Sequence, residues 1–176
     1  MAAVRPSQFP LVLGYRLLAL VPALWMESAL IASMMAVAVV FFEAIWNIDF
    51  FFRLVIGKSL IGLSAYMFDP KIPLFIRSLS CFHIVLPPIL LWTVHRLGHD
   101  RRAFLWQTIV ALVVLPLSYR TSNAQENVNW FYGFGQKPQT ILPGPLFVIL
   151  LMVLFPLAVY LPMHLLFART FRVVGT

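Results

Sequence analysis

The stretch YMFDPKIPLFIRSLSCFHIVLPPILLWTV, Tyr66–Val94, decides how the chain is read. It begins as a polar, proline-punctuated loop around Asp69-Pro70 and Pro73. After Arg77 it carries no formal charge as far as Val94. Inside this apolar half sit Cys81, His83 and the pair Pro87-Pro88. A proline has no N–H, so Pro87 and Pro88 release carbonyls one turn earlier, around His83–Ile84. In hydrocarbon those carbonyls require other donors. Ionisable groups in a membrane span are costly and tend to face a cavity, a partner or a functional site. The junction of loop and helix is therefore expected to form the mouth of a ligand pocket.

The rest of the composition agrees with a membrane setting. Of 176 residues, 61% are hydrophobic and 11% charged, and the mean hydropathy is +0.90. A soluble domain carries roughly 25% charged residues. Four apolar runs approach the ~20 residues needed to cross hydrocarbon, near 28–46, 74–94, 103–118 and 145–167. The expected fold is thus a single polytopic domain over 1–176, an all-α four-helix transmembrane bundle. Phe50–Leu63 holds both Arg53 and Lys58 and reads as an additional interfacial helix that does not span. Leu11–Trp25, interrupted by Arg16 and Pro22, reads the same way, with a further span as its alternative.

The net charge of +7 comes from 13 Lys and Arg scattered at span edges. A nucleic-acid footprint would be one concentrated basic face, so lipid headgroups are the expected partners and nucleic acid is not. The dense turn His95–Arg102 and the arginines near both termini place the N- and C-termini together on the cytoplasmic side. One cysteine excludes an internal disulfide and a cysteine-rich metal site. His95 and His99 have the four-residue spacing of helical metal ligands. Gly98 between them and the lack of further ligands favour an ordinary basic turn, so no metal and no cofactor is expected.

On the first span, Ala29, Ala32, Ala36 and Glu43 share one helical face. Small residues let helices approach closely in lipid, so this face, and Glu43 with it, is expected to turn inward. The expected ligand-binding residues are Glu43, Trp46, Tyr66, Asp69, His83 and Trp130, apolar walls with aromatic rims and a few polar groups. The competing reading has Glu43 or Asp69 paired with Arg53, Arg77 or backbone donors to hold the loops. Gln107 and Thr108 are expected in interhelical hydrogen bonds.

Several pieces occur in an order that resembles the EXPERA-domain membrane proteins, the group containing the sigma-2 receptor and emopamil-binding protein. They are FFE ending at Glu43, FDP at Asp69-Pro70, FIRSL at Phe75–Leu79, LP at Leu86-Pro87, GQKPQT at Gly135–Thr140, and Pro156 within the last span. The resemblance implies a four-helix bundle with an outer-side cavity for sterol-like or cationic amphiphilic ligands. It implies that Glu43 faces the ligand and that Asp69 braces the loop. The chain departs from the pattern with Glu rather than Asp at the first acid, and with Cys81 and His83 where span two would carry an acid. Three functions stay open: a receptor-like protein for a hydrophobic ligand, a small isomerase of sterol or isoprenoid lipids, and a non-catalytic subunit docked to a membrane partner or a second copy of itself.

Overall fold

The computed structural model describes residues 27–121, 132–133 and 139–175. It is mostly helical, and four of its helices are long and apolar enough to cross a membrane. Helix α1, Ala29–Ile56, has 28 residues. Ser28 caps its start, the side chain accepting from the Ile31 N–H at 3.4 Å. Gly57 ends it in the left-handed region at φ 75°, donating its N–H to the Arg53 carbonyl. Helices α2, Leu74–Leu79, and α3, Phe82–Leu97, follow as one 24-residue stretch interrupted by a turn at Ser80-Cys81. Helix α4 is Ala103–Thr121. Helices α5, Gly144–Leu154, and α6, Leu161–Thr170, are joined by a π-helical turn over Phe155–Tyr160. Pro156 sits within that turn, where its missing N–H and ring disfavour the regular ladder.

Helix α1 is the central element and packs most extensively on α3, then on α4. The inward alanine face is as expected: Ala32 and Ala36 are fully buried. They pack with Val37, Val40, Leu86, Leu90 and Val94 in the core. The large exposed side chains of α4 and α5, among them Leu105, Val113, Leu117, Ile149 and Val153, form an outward apolar surface suited to lipid.

Two expectations about the segment after Trp46 are corrected. The first helix does not end there, and Phe50–Leu63 is not a separate helix. Residues 50–56 continue α1, and the chain then turns through 57–64. Placing Arg53 near the helix end leaves only one basic residue in that last turn, so continuing the helix costs little. At 1.5 Å per residue α1 is about 42 Å long, more than the ~30 Å of a hydrocarbon core. Glu43 consequently lies at the middle of the helix and not near its end.

At the start of α1 the chain is clasped. His99-Asp100 pairs in parallel with Val173-Val174, here β1 and β2. The His99 N–H donates to the Arg172 carbonyl at 2.8 Å, and the Asp100 N–H donates to Ser33 Oγ at 2.9 Å. The Asp100 carboxylate is held below its ordinary range, chiefly by the Arg102 side chain that chelates it at 2.9 and 3.1 Å. The start of α1, the turn before α4 and the C-terminal strand therefore meet at one end. His99, expected in an ordinary basic turn, is fully buried, and its Nε2 lies 2.9 Å from His164 Nδ1. His95 is exposed and stands apart from this pair. Among the described residues no group of three or more ligands could hold a metal.

Gly98 enters this clasp at φ 90°, ψ 161°, a backbone region open essentially to glycine alone. A Cβ there would meet Val174 Cγ1 at 2.8 Å and the Arg172 carbonyl oxygen at 2.9 Å. Gly98→Ala is expected to destabilise the protein by on the order of 1–3 kcal/mol, measured as a lowered midpoint of thermal unfolding in detergent. The clasp is also expected to weaken with acid. Burial first, and His164 second, hold His99 down from 6.5 to about 4. Between those values the unfolded chain binds a proton that the folded chain refuses, so stability present above pH 6.5 is lost as the pH falls toward 4. His99→Gln should flatten that part of the unfolding-versus-pH curve.

Candidate functional site

The middle of α1 carries the buried acid. Glu43 is 1% exposed, and its Oε2 is paired with His83 Nδ1 from the start of α3. The carboxylate would be costly to bury without such a partner. The imidazole contacts two rings: it stacks on Trp46 at 4.4 Å between centroids and 23° between planes, and the Phe82 ring lies at 3.9 Å. Trp46 in turn stacks on Phe50 at 5.2 Å and lies 6.5 Å from Tyr66. Four residues named from the sequence, Glu43, Trp46, Tyr66 and His83, are thus brought together.

The prolines of α3 explain why His83 is held so firmly. Pro87 cannot donate to the His83 carbonyl, four residues earlier. That carbonyl instead accepts from Asn47 Nδ2 at 2.6 Å, and the same amide nitrogen donates to the Glu43 carbonyl at 2.8 Å. One amide therefore ties α1 to α3 at the level where the ladder is broken. The donor demanded by the proline pair is supplied by α1, one turn beyond the acid.

The Asp69 carboxylate is held by a backbone donor of its own loop, as the competing reading has it. Its Oδ1 accepts from the Lys71 N–H at 2.9 Å, the turn usual for a short acid ahead of a proline. The turn after α1 is braced by Asp49, a residue not singled out by the sequence reading. It is fully buried, and its carboxylate accepts from the N–H groups of Ile61, Gly62 and Ser64 and from the Ser64 hydroxyl at 2.7–3.0 Å. Asp49 continues the buried stripe Val40, Glu43, Trp46 in steps of three. That signal became invisible once the helix was ended at Trp46.

Arg53 lies over the Phe68 ring at 4.8 Å, and Arg77 donates to the Met67 carbonyl at 3.1 Å. Cys81 is free and lies within the second apolar stretch, Leu74–Leu97, where it is exposed and not packed. Trp130 lies outside the described residues. Tyr132 donates to the Tyr119 carbonyl at 3.0 Å and packs on the Tyr119 ring at 5.0 Å. Gln107 and Tyr160 share a hydrogen bond between helices, whereas Thr108 Oγ1 is buried without one. No protein-family model, curated protein or solved structure matches the chain.

The Glu43–His83 pair is expected to be energetically coupled. His83→Phe preserves an apolar ring between Trp46 and Phe82 but strands the carboxylate, an effect of about 3–5 kcal/mol for buried pairs. Adding Glu43→Gln should recover a large part of that loss. A double-mutant cycle on thermal unfolding in detergent measures the coupling, and additive effects of the two changes would exclude it.

Proposed function

We propose that the protein is an integral membrane protein that binds a hydrophobic, sterol-like or cationic amphiphilic ligand at Glu43, Trp46, Tyr66 and His83. In this reading the four apolar helices form a transmembrane bundle of the EXPERA type, with both termini on the cytoplasmic side. The segment 57–73 lies at the opposite interface, and the pocket opens beneath it. The observation that carries the reading is a carboxylate buried at mid-helix, paired with an aromatic-stacked imidazole. A carboxylate so costly to bury is suited to face a ligand cation. Poor screening in apolar surroundings strengthens attraction to an amine.

The same pair favours a second reading, isomerisation of a sterol or isoprenoid double bond. Such a reaction adds a proton at one alkene carbon, leaving a cation on the other. It then removes a proton from the next carbon along, so that the double bond shifts by one position. A carboxylate–imidazole pair supplies a donor and an acceptor within reach of each other. Turnover of an unsaturated sterol, lost in His83→Phe while binding persists, distinguishes catalysis from binding alone.

For the binding reading, Glu43→Gln keeps the shape and removes the charge. It should weaken an amphiphilic amine by about 1.5–3 kcal/mol, the scale of a charged hydrogen bond, whereas Glu43→Asp should cost less. Binding of a radiolabelled amine in nanodiscs checks this, and equal affinities for wild type and Glu43→Gln would overturn it.

A further inference from the structure

The strands β1 and β2 gather charge as well as backbone at the start of α1. Their parallel pairing, His99 with Val173 and Asp100 with Val174, sets Arg101 and Arg102 beside the C-terminal segment that carries Arg169 and Arg172. Arg96, at the end of α3, belongs to the same end of the bundle. The two acids described there are already engaged. Glu27 pairs with Arg96 at 2.9 Å, and the buried Asp100 is chelated by Arg102. Arg101, Arg169 and Arg172 are exposed and enter no ion pair among the described residues. The clasp fixes the backbone of two of them. The Arg101 N–H donates to the Val174 carbonyl at 3.1 Å, and the Arg172 carbonyl accepts from the His99 N–H at 2.8 Å. Two tryptophans mark the depth. Trp92 and Trp106 are 54% and 46% exposed; one lies four residues before Arg96, the other four residues after Arg102. The Arg96 guanidinium stands over the Trp92 ring at 5.7 Å. Exposed tryptophan near the end of a membrane helix sits at the headgroup level. The arginines, one turn or about 5.4 Å further out, then stand among the phosphates.

We propose that Arg101, Arg169 and Arg172 form a docking surface for the headgroup of an anionic lipid that carries more than one phosphate. The proposal is independent of ligand binding at Glu43 and rests only on the helices crossing a bilayer. Orienting a chain in a membrane needs positive charge alone, which lysine supplies as well as arginine. Yet every permanently charged basic residue described at this end is an arginine, while the described lysines, Lys58 and Lys71, stand beyond the other end of α1. A guanidinium is planar and offers paired N–H donors that match two phosphate oxygens at once, whereas an ammonium acts as a point charge. Three such groups without a protein counter-ion call for a multivalent anion, which a headgroup with a single net charge does not supply. An acidic protein segment is the less favoured occupant. Its carboxylates would have to enter the headgroup layer, where lipid phosphates already stand at the depth of the arginines.

The test titrates full-length protein in neutral detergent micelles against fluorescent short-chain lipids, read by fluorescence polarisation. The probes are a bisphosphorylated phosphatidylinositol and phosphatidylserine. The free inositol phosphate headgroup serves as competitor, and a fluorescent glutamate-rich peptide as the protein-like anion. Wild type should bind the bisphosphorylated lipid at least about tenfold more tightly than phosphatidylserine, the effect of added charged hydrogen bonds. Arg101→Gln, Arg169→Gln and Arg172→Gln combined should abolish that preference. The corresponding triple lysine variant keeps the charge and should still bind the bisphosphorylated lipid at least about threefold more weakly than wild type. Lys58→Gln with Lys71→Gln should change nothing. Thermal unfolding without lipid reads the fold, and every variant should melt as wild type does. The wild-type comparison decides whether or not the variants fold: equal binding of the two lipids overturns the proposal. Undiminished binding by the lysine variant overturns it too, leaving only charge. Tighter binding of the peptide than of the bisphosphorylated lipid replaces the lipid by an acidic protein partner. Free headgroup competing as well as the lipid itself replaces it by a soluble polyphosphate, and either result overturns the proposal.

Discussion

The fold is organised around the burial of one carboxylate halfway along its central helix. Glu43 is among the largest fully buried side chains of the protein, and an ionisable group there has to be answered by its surroundings. His83 is the answer, and the local features of α3 follow from holding it in place. Its ring is fixed by Trp46 and Phe82 and its carbonyl by Asn47. Pro87 makes that carbonyl available by withdrawing the N–H that would otherwise occupy it. A break in the ladder, usually a weakness, here becomes the attachment point between two helices.

The two ends of α1 are secured by different means. At its start, Ser33 accepts from the backbone of Asp100, and the paired strands β1 and β2 bring the C-terminal residues onto the same spot. At its end, Asp49 gathers four donors from the turn after the helix. Both devices use a buried side chain of α1 to satisfy backbone that has left regular structure, as buried backbone requires. They are independent of the Glu43–His83 pair, so the site can be altered without loosening the anchors of the helix that carries it.

The aromatic residues around the site do more than fill space. Phe50, Trp46, His83 and Phe82 form a continuous set of ring contacts running from α1 onto α3, with Tyr66 at its side. Aromatic stacking limits rotation of the imidazole while leaving polar edges for recognition.

The sequence by itself determined the membrane character, the four long apolar helices and the inward turn of the Ala32–Ala36–Glu43 face. These depend on composition and periodicity, which act locally along one helix. It also showed that the carbonyls ahead of Pro87-Pro88 needed donors, a covalent consequence of proline. Only the tertiary structure decided which donor, because Asn47 lies 36 residues away and nothing local links the two. The same holds for the contrast between Asp49 and Asp69. Both are short acids flanking one loop, and the choice between them depends on where α1 stops and how the turn 57–64 folds back. Likewise the burial of His99 against His164 arises from a clasp joining residues 65 apart in the chain. Pairing across such distances is set by the packing of whole helices, which no single stretch of sequence encodes.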